Sequence, residues 1–428
     1  MDMSVPLTRE ESATSIIHFE SHPGYNRVFR RQELTVGLIL PLETHPHSPQ
    51  PTMRDHIVMA RKAEKIGVAA LWARDIPFFD PAYGDVGQIF DPLIYIAHLA
   101  AATRNITLGT AGIVLPMREP LLLAKQINSL DHLTEGRLVA GMSSGDRPSE
   151  YPIFGIDFET RGERFRDAFS VYRNVSERSF PRFTSSRFGQ SDGSLDMLPK
   201  PPYGRTPAIA VGRSQQSLAW IAENMDGFLG FVPAPDELNA FGRDWRNLMP
   251  NASSGKSVKP LAFGGFLYLH PKPHHSFKRI RGGFAIGSRA LRDFLEQARD
   301  AGINHVALNP KVTPRPYAEI LDELGSIVLP EFPPNRGADP GRHVRGQPVR
   351  NDHETERWQS VLIRCHRQRP AGSHELVDVE LLGSASNHDG NCRADENEAH
   401  VCVWLQAIFA YPGFIVVQSK GVNSFRRR

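Results

Sequence analysis

Leu34-Thr-Val-Gly-Leu-Ile-Leu40, then Met53 to Ile66, then Ala69 to Ala73: an apolar β-branched run, a helical period and a second apolar run decide the fold. Pro41 stops the first run. The helical stretch sets Ile57, Ala60, Ala63 and Ile66 at helical spacing, and Gly67 supplies its C-terminal stop. A short buried strand, a helix and another short strand make the repeating unit of a parallel sheet.

The unit recurs outward from there. Leu93 to Ala102 reads as a helix with Asp91 as its N-cap and Pro92 at its first position. Ile106 to Thr110 is strand three, Pro120 to Leu133 a helix, and Arg137 to Met142 strand four. Residues 162–176 are helical, and the stretch 179–206, rich in Ser, Phe, Pro and Arg, reads as an insertion after strand four. Pro207 to Gly212, Asp226 to Val232, Leu261 to His270 and His305 to Asn309 follow as strands five to eight. Helices are expected at Ser214 to Asn224, Gly287 to Ala301 and Tyr317 to Ile327. Eight strands in this alternation predict an α/β fold, a (β/α)8 TIM barrel over residues 33–333 with an insertion after strand four. Residues 1–32 read as an N-terminal arm. Residues 334–428 carry no such rhythm and read as a non-barrel C-terminal extension, poorly structured or atypical, in which Val401 to Val417 suggests two short strands around Pro412-Gly413.

Composition narrows the function. An apolar fraction of 40% and a charged fraction of 23% are ordinary for a soluble globular protein. A net charge of +3, with no dense Lys/Arg block before the extreme C-terminus, argues against nucleic acid as a partner. The polar N-terminus lacks the apolar core of a secretory signal, and Gln406 and Pro412-Gly413 break the longest apolar stretch, so a cytoplasmic protein without membrane association is expected. Cys365, Cys392 and Cys402 all lie in the extension, so barrel chemistry cannot rest on a thiol. HExxH and Walker A patterns are missing, and Gly282-Gly283 lacks the context of a Rossmann turn. Asp75, Asp80 and Asp146 sit near strand ends without histidines at ligand spacing, which sets a metal-dependent hydrolase far behind.

One ordered set of motifs is more specific. It runs Asp91-Pro92, Ala101-Ala102-Thr103-Arg104, Ile106-Thr-Leu-Gly-Thr110, Arg118-Glu-Pro120, Leu130-Asp-His-Leu-Thr-Glu-Gly-Arg137 and Gly141-Met-Ser-Ser-Gly145, then Gly155 and Arg161. It continues through Val211-Gly-Arg-Ser-Gln-Gln-Ser217 to Asp226-Gly227. This order and spacing resembles the bacterial luciferase-like monooxygenase superfamily over about residues 33–333. The resemblance implies a flavin-type cofactor at the C-terminal mouth of the barrel, either reduced FMN, usually delivered by a separate flavin reductase, or the deazaflavin F420. With reduced FMN the expected activity is a monooxygenase acting with O2 on a small organic substrate, and a homo-oligomer is expected. The rivals are an F420-dependent hydride-transfer enzyme and a non-catalytic flavin-binding relative.

The same resemblance proposes the site. Gly212, Arg213, Ser214 and Ser217 match the segment after strand five that holds the cofactor phosphate; the residues alone equally allow Ser214 as an N-cap and Arg213 as a surface charge. Ser143 and Ser144 end strand four, and Ser144 stands where the luciferases carry an arginine, so Arg213 is expected to supply the missing charge. Thr110 and Ala111 end strand three, where relatives have a non-proline cis peptide against the flavin ring. Arg74 stands where the luciferases have histidines, one of them catalytic, which argues against light emission. It is the candidate to steer an anionic substrate or the N1–C2 edge of the flavin, or else it pairs with Asp75. His45, with His47, is a candidate proton donor at the mouth, and His274-His275 has the same standing. His132 reads as structural, and Trp72, Phe78, Phe79 and Phe154 as walls of an apolar pocket or simply core.

Overall fold

The computed structural model describes residues 22–249 and 259–334, together with the backbone strands Val361–Arg367, Val377–Ser384 and Ile415–Val417. The chain divides into two units, Met1–Val344 and Arg345–Arg428. In the second, the three strands form an antiparallel sheet with Val361–Arg367 in the middle. Of the two strands expected in Val401 to Val417, Ile415–Val417 is present and residues 401–414 lie outside the described residues.

In the first unit eight parallel strands close a ring: β1 (Thr35–Ile39), β2 (Ala70–Ala73), β3 (Thr107–Thr110), β4 (Leu138–Ser143), β5 (Ala208–Val211), β6 (Phe228–Phe231), β7 (Leu261–His270) and β8 (His305–Asn309). Each pairs with the next, and β8 returns to β1 with Thr35 opposite His305. The expected (β/α)8 barrel is present. β7 outruns the ring: its second half, Phe266 to His270, pairs with an added strand, Gly283–Gly287, which turns back from Lys278–Ile280. The insertion after β4 contains a hairpin, Arg182–Ser185 with Gly189–Asp192.

Strand alternation sorts the core into two layers. Leu38, Leu71, Leu138, Ala140, Ala210, Phe263 and Val306 face the surrounding helices in one large apolar cluster. Ile39, Ala70, Trp72, Val139, Ile209, Leu229, Ala262 and Ala307 fill the barrel with Val28 and Phe29. Trp72 fits inside because β3 offers no side chain beside it: a Cβ on Gly109 would stand 2.4 Å from the indole ring. Of the two readings of Trp72, pocket wall or core, the structure gives core: it is fully buried in the barrel. Val28 and Phe29 come from the foot of the barrel, where the short helix Pro23–Val28 is held by Gly24 N–H donating to the Gly136 carbonyl at 2.9 Å and Tyr25 Oη to the Asp226 carbonyl at 2.8 Å.

The motif residues are largely connectors. Asp91 caps the helix Pro92–Ala102, accepting from Leu93 and Ile94 N–H, as its position before Pro92 predicts. Arg137 feeds its guanidinium to the carbonyls of Ala100, Ile106 and Thr134, and Asp131 accepts from Thr206 Oγ1 at 2.7 Å. His132 contacts the Lys200 carbonyl at 2.8 Å, consistent with a structural role. These contacts satisfy chain ends that would otherwise be buried without partners.

Candidate active site

The inward phase of the strands, continued to their C-terminal ends, lines the mouth: Arg74 after β2, Ala111 after β3, Ser143 on β4, Val211 on β5, Phe266 on β7 and Asn309 on β8. The residues singled out from sequence converge on this one end of the barrel, on two sides of it.

The first side is formed by β3, β4 and β5. A non-proline cis peptide is present, at Ala111–Gly112, one bond beyond the Thr110–Ala111 position expected. Thr110 is fully buried and its hydroxyl donates to the Gly141 carbonyl at 2.7 Å, leaving half-buried Ala111 as the residue that faces the mouth. Ser143 Oγ lies 3.2 and 3.3 Å from the carbonyls of Gly112 and Ile113, and Ser144 is buried. After β5 the expected helix at Ser214 is corrected: the helix is Leu218–Asn224, and its N-cap is Ser217, which accepts from Trp220 N–H. Residues 212–215 instead turn through positive φ at Gly212, Ser214 and Gln215 (62°, 48° and 58°), a left-handed path uncommon for side-chain-bearing residues. Ser214 is buried with its hydroxyl 3.3 Å from the Met142 carbonyl. Arg213 projects from the turn into solvent, and among the described residues no carboxylate pairs with it.

The second side, at β1, β2 and β8, is charged. Arg74 does not pair with Asp75. It binds Asp85 through both terminal guanidinium nitrogens, Nη1 to Oδ2 and Nη2 to Oδ1 at 3.0 Å, while Lys311 Nζ reaches the same Oδ1 at 2.5 Å. Burial alone would raise the Asp85 carboxyl, but Arg74 and Lys311 hold it well below the usual range. Asp75 is taken by Arg118, at 2.6 Å to Oδ1 and 2.9 Å to Oδ2, and Arg118 also reaches Asp91 at 3.1 Å. Arg118 thus joins two of the quoted motifs. His45 is buried, its Nδ1 donating to the Ser48 carbonyl at 2.8 Å and its backbone N–H to the Lys311 carbonyl at 3.0 Å. Burial lowers its pKa, Ser48 opposes this and Lys311 adds to it, so the ring is neutral with Nε2 a free acceptor.

Two loops close over this side. Arg147 donates to the Asp85 carbonyl at 2.9 Å and covers the Tyr83 ring at 4.9 Å, Tyr83 Oη donates to the Asp146 carbonyl at 2.7 Å, and Ser149 hydrogen-bonds Asp80. Burial raises the Glu150 carboxyl to about 7, against the opposing pull of Arg147 at 4.0 Å. Phe78, Phe79, Phe154 and Phe231 stay exposed, with Phe78 edge-on to Phe154. His47 is exposed, and His275 stacks on His270 at 3.9 Å. Among the described residues no cluster could hold a metal ion, and no helix is long and apolar enough to cross a membrane.

Asp85, Arg147, Asn309 and Lys311 escaped the sequence reading. Asn309 was within reach of it, because alternation along the strand sends 305, 307 and 309 to one face. Asp85, in the loop of residues 74–91 that joins β2 to the helix Pro92–Ala102, had no such signal.

Known proteins share this barrel. A curated relative, 4-hydroxyprotoasukamycin monooxygenase of Streptomyces nodosus subsp. asukaensis, is 26% identical over 245 residues, covering 56% of this chain and 65% of that protein. The alkanal monooxygenase alpha chain of Photorhabdus luminescens is 22% identical over 189 residues, covering 44% of this chain and half of that protein. The chain thus spans less than two thirds of the length of either. Among solved structures, a monooxygenase from Streptomyces bottropensis superposes with a TM-score of 0.58 at 17% identity, over 70% of this chain and 99% of that one. An F420-dependent secondary alcohol dehydrogenase gives 0.56 at 18% identity over the same 70% and 99%. The oxygenating constituent of 3,6-diketocamphane monooxygenase of Pseudomonas putida, solved with FMN, gives 0.53 at 14% over 71% and 100%. At these identities the structural likeness shows the fold alone. The family model for luciferase-like monooxygenases matches residues 34–281, more than half of the chain, and the protein belongs to that family.

Proposed function

We propose that the protein is a flavin-dependent monooxygenase that uses reduced FMN and O2 on a small organic substrate. The observation that carries the reading is the solvent-facing Arg213 on the left-handed turn after β5, without a carboxylate partner among the described residues. A guanidinium fork left unpaired beside the mouth suits a phosphate. Arg213, Gly212 and the Ser217 hydroxyl would hold that group, with Ser143 and Ser144 beside it and Ser214 fixing the turn from within. The small Ala111, half-buried at the mouth, would face the flat ring, and Gly112 packs against Val211 behind it. Reduced FMN, when bound, supplies the electrons with which O2 is activated for transfer of one oxygen atom to the substrate. The chain's own part is to orient the ring, to exclude water with the loops around residues 75–91 and 144–151, and to move protons at His45 Nε2. Arg74 steers the substrate or the polar edge of the ring.

FMN in the Pseudomonas putida structure and the names of the curated monooxygenases support this reading. The F420 adduct in the alcohol dehydrogenase supports the second one, hydride transfer on the same barrel. Anaerobic titration with reduced FMN and, separately, reduced F420, followed by absorbance and fluorescence, decides between them. Saturable binding of reduced FMN with O2 consumption on mixing is the expected result. Binding of F420 alone moves the assignment to hydride transfer, and binding of neither overturns the phosphate site. A separate reductase, self-association and a cytoplasmic location complete the proposal.

A further inference from the structure

Three cations converge where β1, β2 and β8 end, and among the described residues one carboxylate, Asp85, is in direct ion-pair contact with two of them. Arg74 and Lys311 share Asp85, and Arg147 touches only its backbone carbonyl. The nearest carboxylate to Arg147 is Glu150, at 4.0 Å and raised by burial towards neutrality. The side chains of Arg74, Asp85 and Lys311 keep 15%, 12% and 9% of their surface, so the excess positive charge is largely dry but not sealed. Buried charge without a counterion is costly, and an arriving anion relieves it.

A second observation is independent of charge. Among the described residues three buried polar atoms at this spot have no partner: Arg74 Nε, Asn309 Nδ2 and His45 Nε2. Asn309 is fully buried, and its Oδ1 already accepts from Lys311 N–H at 3.2 Å, so its amide donor is left over on the inward phase of β8. Arg74 Nε is likewise a donor, and His45 Nε2 an acceptor. Beside them lies the Phe266 ring, 5.0 Å from Lys311 Nζ and 5.9 Å from Arg74 Cζ. Donors, excess positive charge and an apolar ring together describe the two ends of an organic acid.

We infer that the mouth at β1, β2 and β8 is a recognition subsite for a small organic acid. Its carboxylate meets Lys311, Arg74 Nε and Asn309 Nδ2, and its apolar body lies on Phe266. This names the substrate class for the mouth and rests on the flavin reading only for what happens to the acid afterwards. The other source of anionic oxygen is the polar edge of a reduced flavin, and the test separates the two.

Benzoate and hexanoate, against benzamide and hexanamide, are titrated calorimetrically into the full-length protein without flavin. The acids are expected to bind saturably and at least about tenfold more tightly than the amides, the worth of a charge-assisted hydrogen bond. Lys311→Met should lose about tenfold or more in acid affinity, while Lys311→Arg, which keeps the charge and reports whether position 311 tolerates change, stays close to wild type. Reduced FMN affinity should be equal in all three proteins. Equal binding of acids and amides, or of neither, overturns the subsite. So does a Lys311→Met variant that loses reduced FMN while keeping benzoate, which would give the cluster to the flavin. Because acid binding is read without flavin, failure of the flavin titration leaves this result standing, and the converse also holds.

Discussion

Trp72 Nε1 donates to His305 Nε2 at 2.9 Å in the dry centre of the barrel. An indole N–H only donates, so Nε2 is bare and the proton sits on Nδ1, which donates to Thr35 Oγ1 at 2.8 Å. The Thr35 hydroxyl is free to accept because its own proton goes to the Val28 carbonyl at 2.7 Å. The ring is therefore held neutral, and burial takes its pKa down to about 3.

That neutrality has a pH signature. The unfolded histidine takes a proton below about pH 6.5, whereas the folded one takes none until about pH 3. Stability is then complete above 6.5 and falls as pH drops towards 3, by about 1.4 kcal/mol per pH unit from this residue. His305→Gln keeps an acceptor for Trp72 and cannot titrate. Urea unfolding at pH 7.5 and pH 5 should show wild type losing more than the variant between the two, and equal losses would refute the assignment.

Gly109→Ala puts a methyl against a ring that His305 holds in place, at 2.4 Å from the nearest indole carbon before any adjustment. Overpacking of this kind costs roughly 1–3 kcal/mol. A smaller ring at position 72 should absorb part of it, so the penalty measured in a Trp72→Phe background is expected to be smaller than in wild type. Thermal unfolding of the four proteins closes the cycle.

Glu150 should make the fold pH-sensitive in the opposite sense. Its carboxyl is raised from an ordinary value near 4.5 to about 7. The folded protein keeps the proton where the unfolded chain has lost it, so this stability is complete below about pH 4.5 and is lost as pH rises to 7. Glu150→Gln should raise Tm at pH 8 by a few degrees, given roughly 2–4 °C per kcal/mol for a domain of this class. The gain should shrink on acidification and disappear at pH 4.5, and a gain that is constant with pH would point to packing instead.

Arg213→Ala tests the phosphate site without reference to turnover. Reduced FMN affinity should fall about 10- to 100-fold, the range expected for a charged hydrogen bond. Reduced riboflavin, which has no phosphate, should bind wild type and variant alike. Parallel losses for both ligands would place Arg213 elsewhere in its effect.

The barrel was readable because its strands are short, buried on both faces and separated by helices with ordinary stops; all eight fall where the apolar runs do. The helix after β5 was misplaced by four residues because Ser214 and Ser217 both look like caps, and nothing local announces that Ser214 and Gln215 take a left-handed path. The small helix at the foot of the barrel, Pro23–Val28, carries too short a period to stand out. Arg74 was legible as a strand-end cation, but its partner Asp85 was not, since loops bring residues together by paths that no periodicity records. Lys311 illustrates the other limit: a lysine beyond a strand reads as surface until the register shows that it lies against Phe266.

The loops around residues 75–91 and 144–151 are sewn together by Tyr83 to Asp146, Ser149 to Asp80, and Arg147 to Asp85 and Phe78. Segments stitched at so many points inherit change jointly. Lengthening one would break bonds held by the other, so a change at this rim calls for a matched change across it. The segment after β3 is tied to the same rim, because Asp75 accepts from both Val114 N–H and the Arg118 guanidinium.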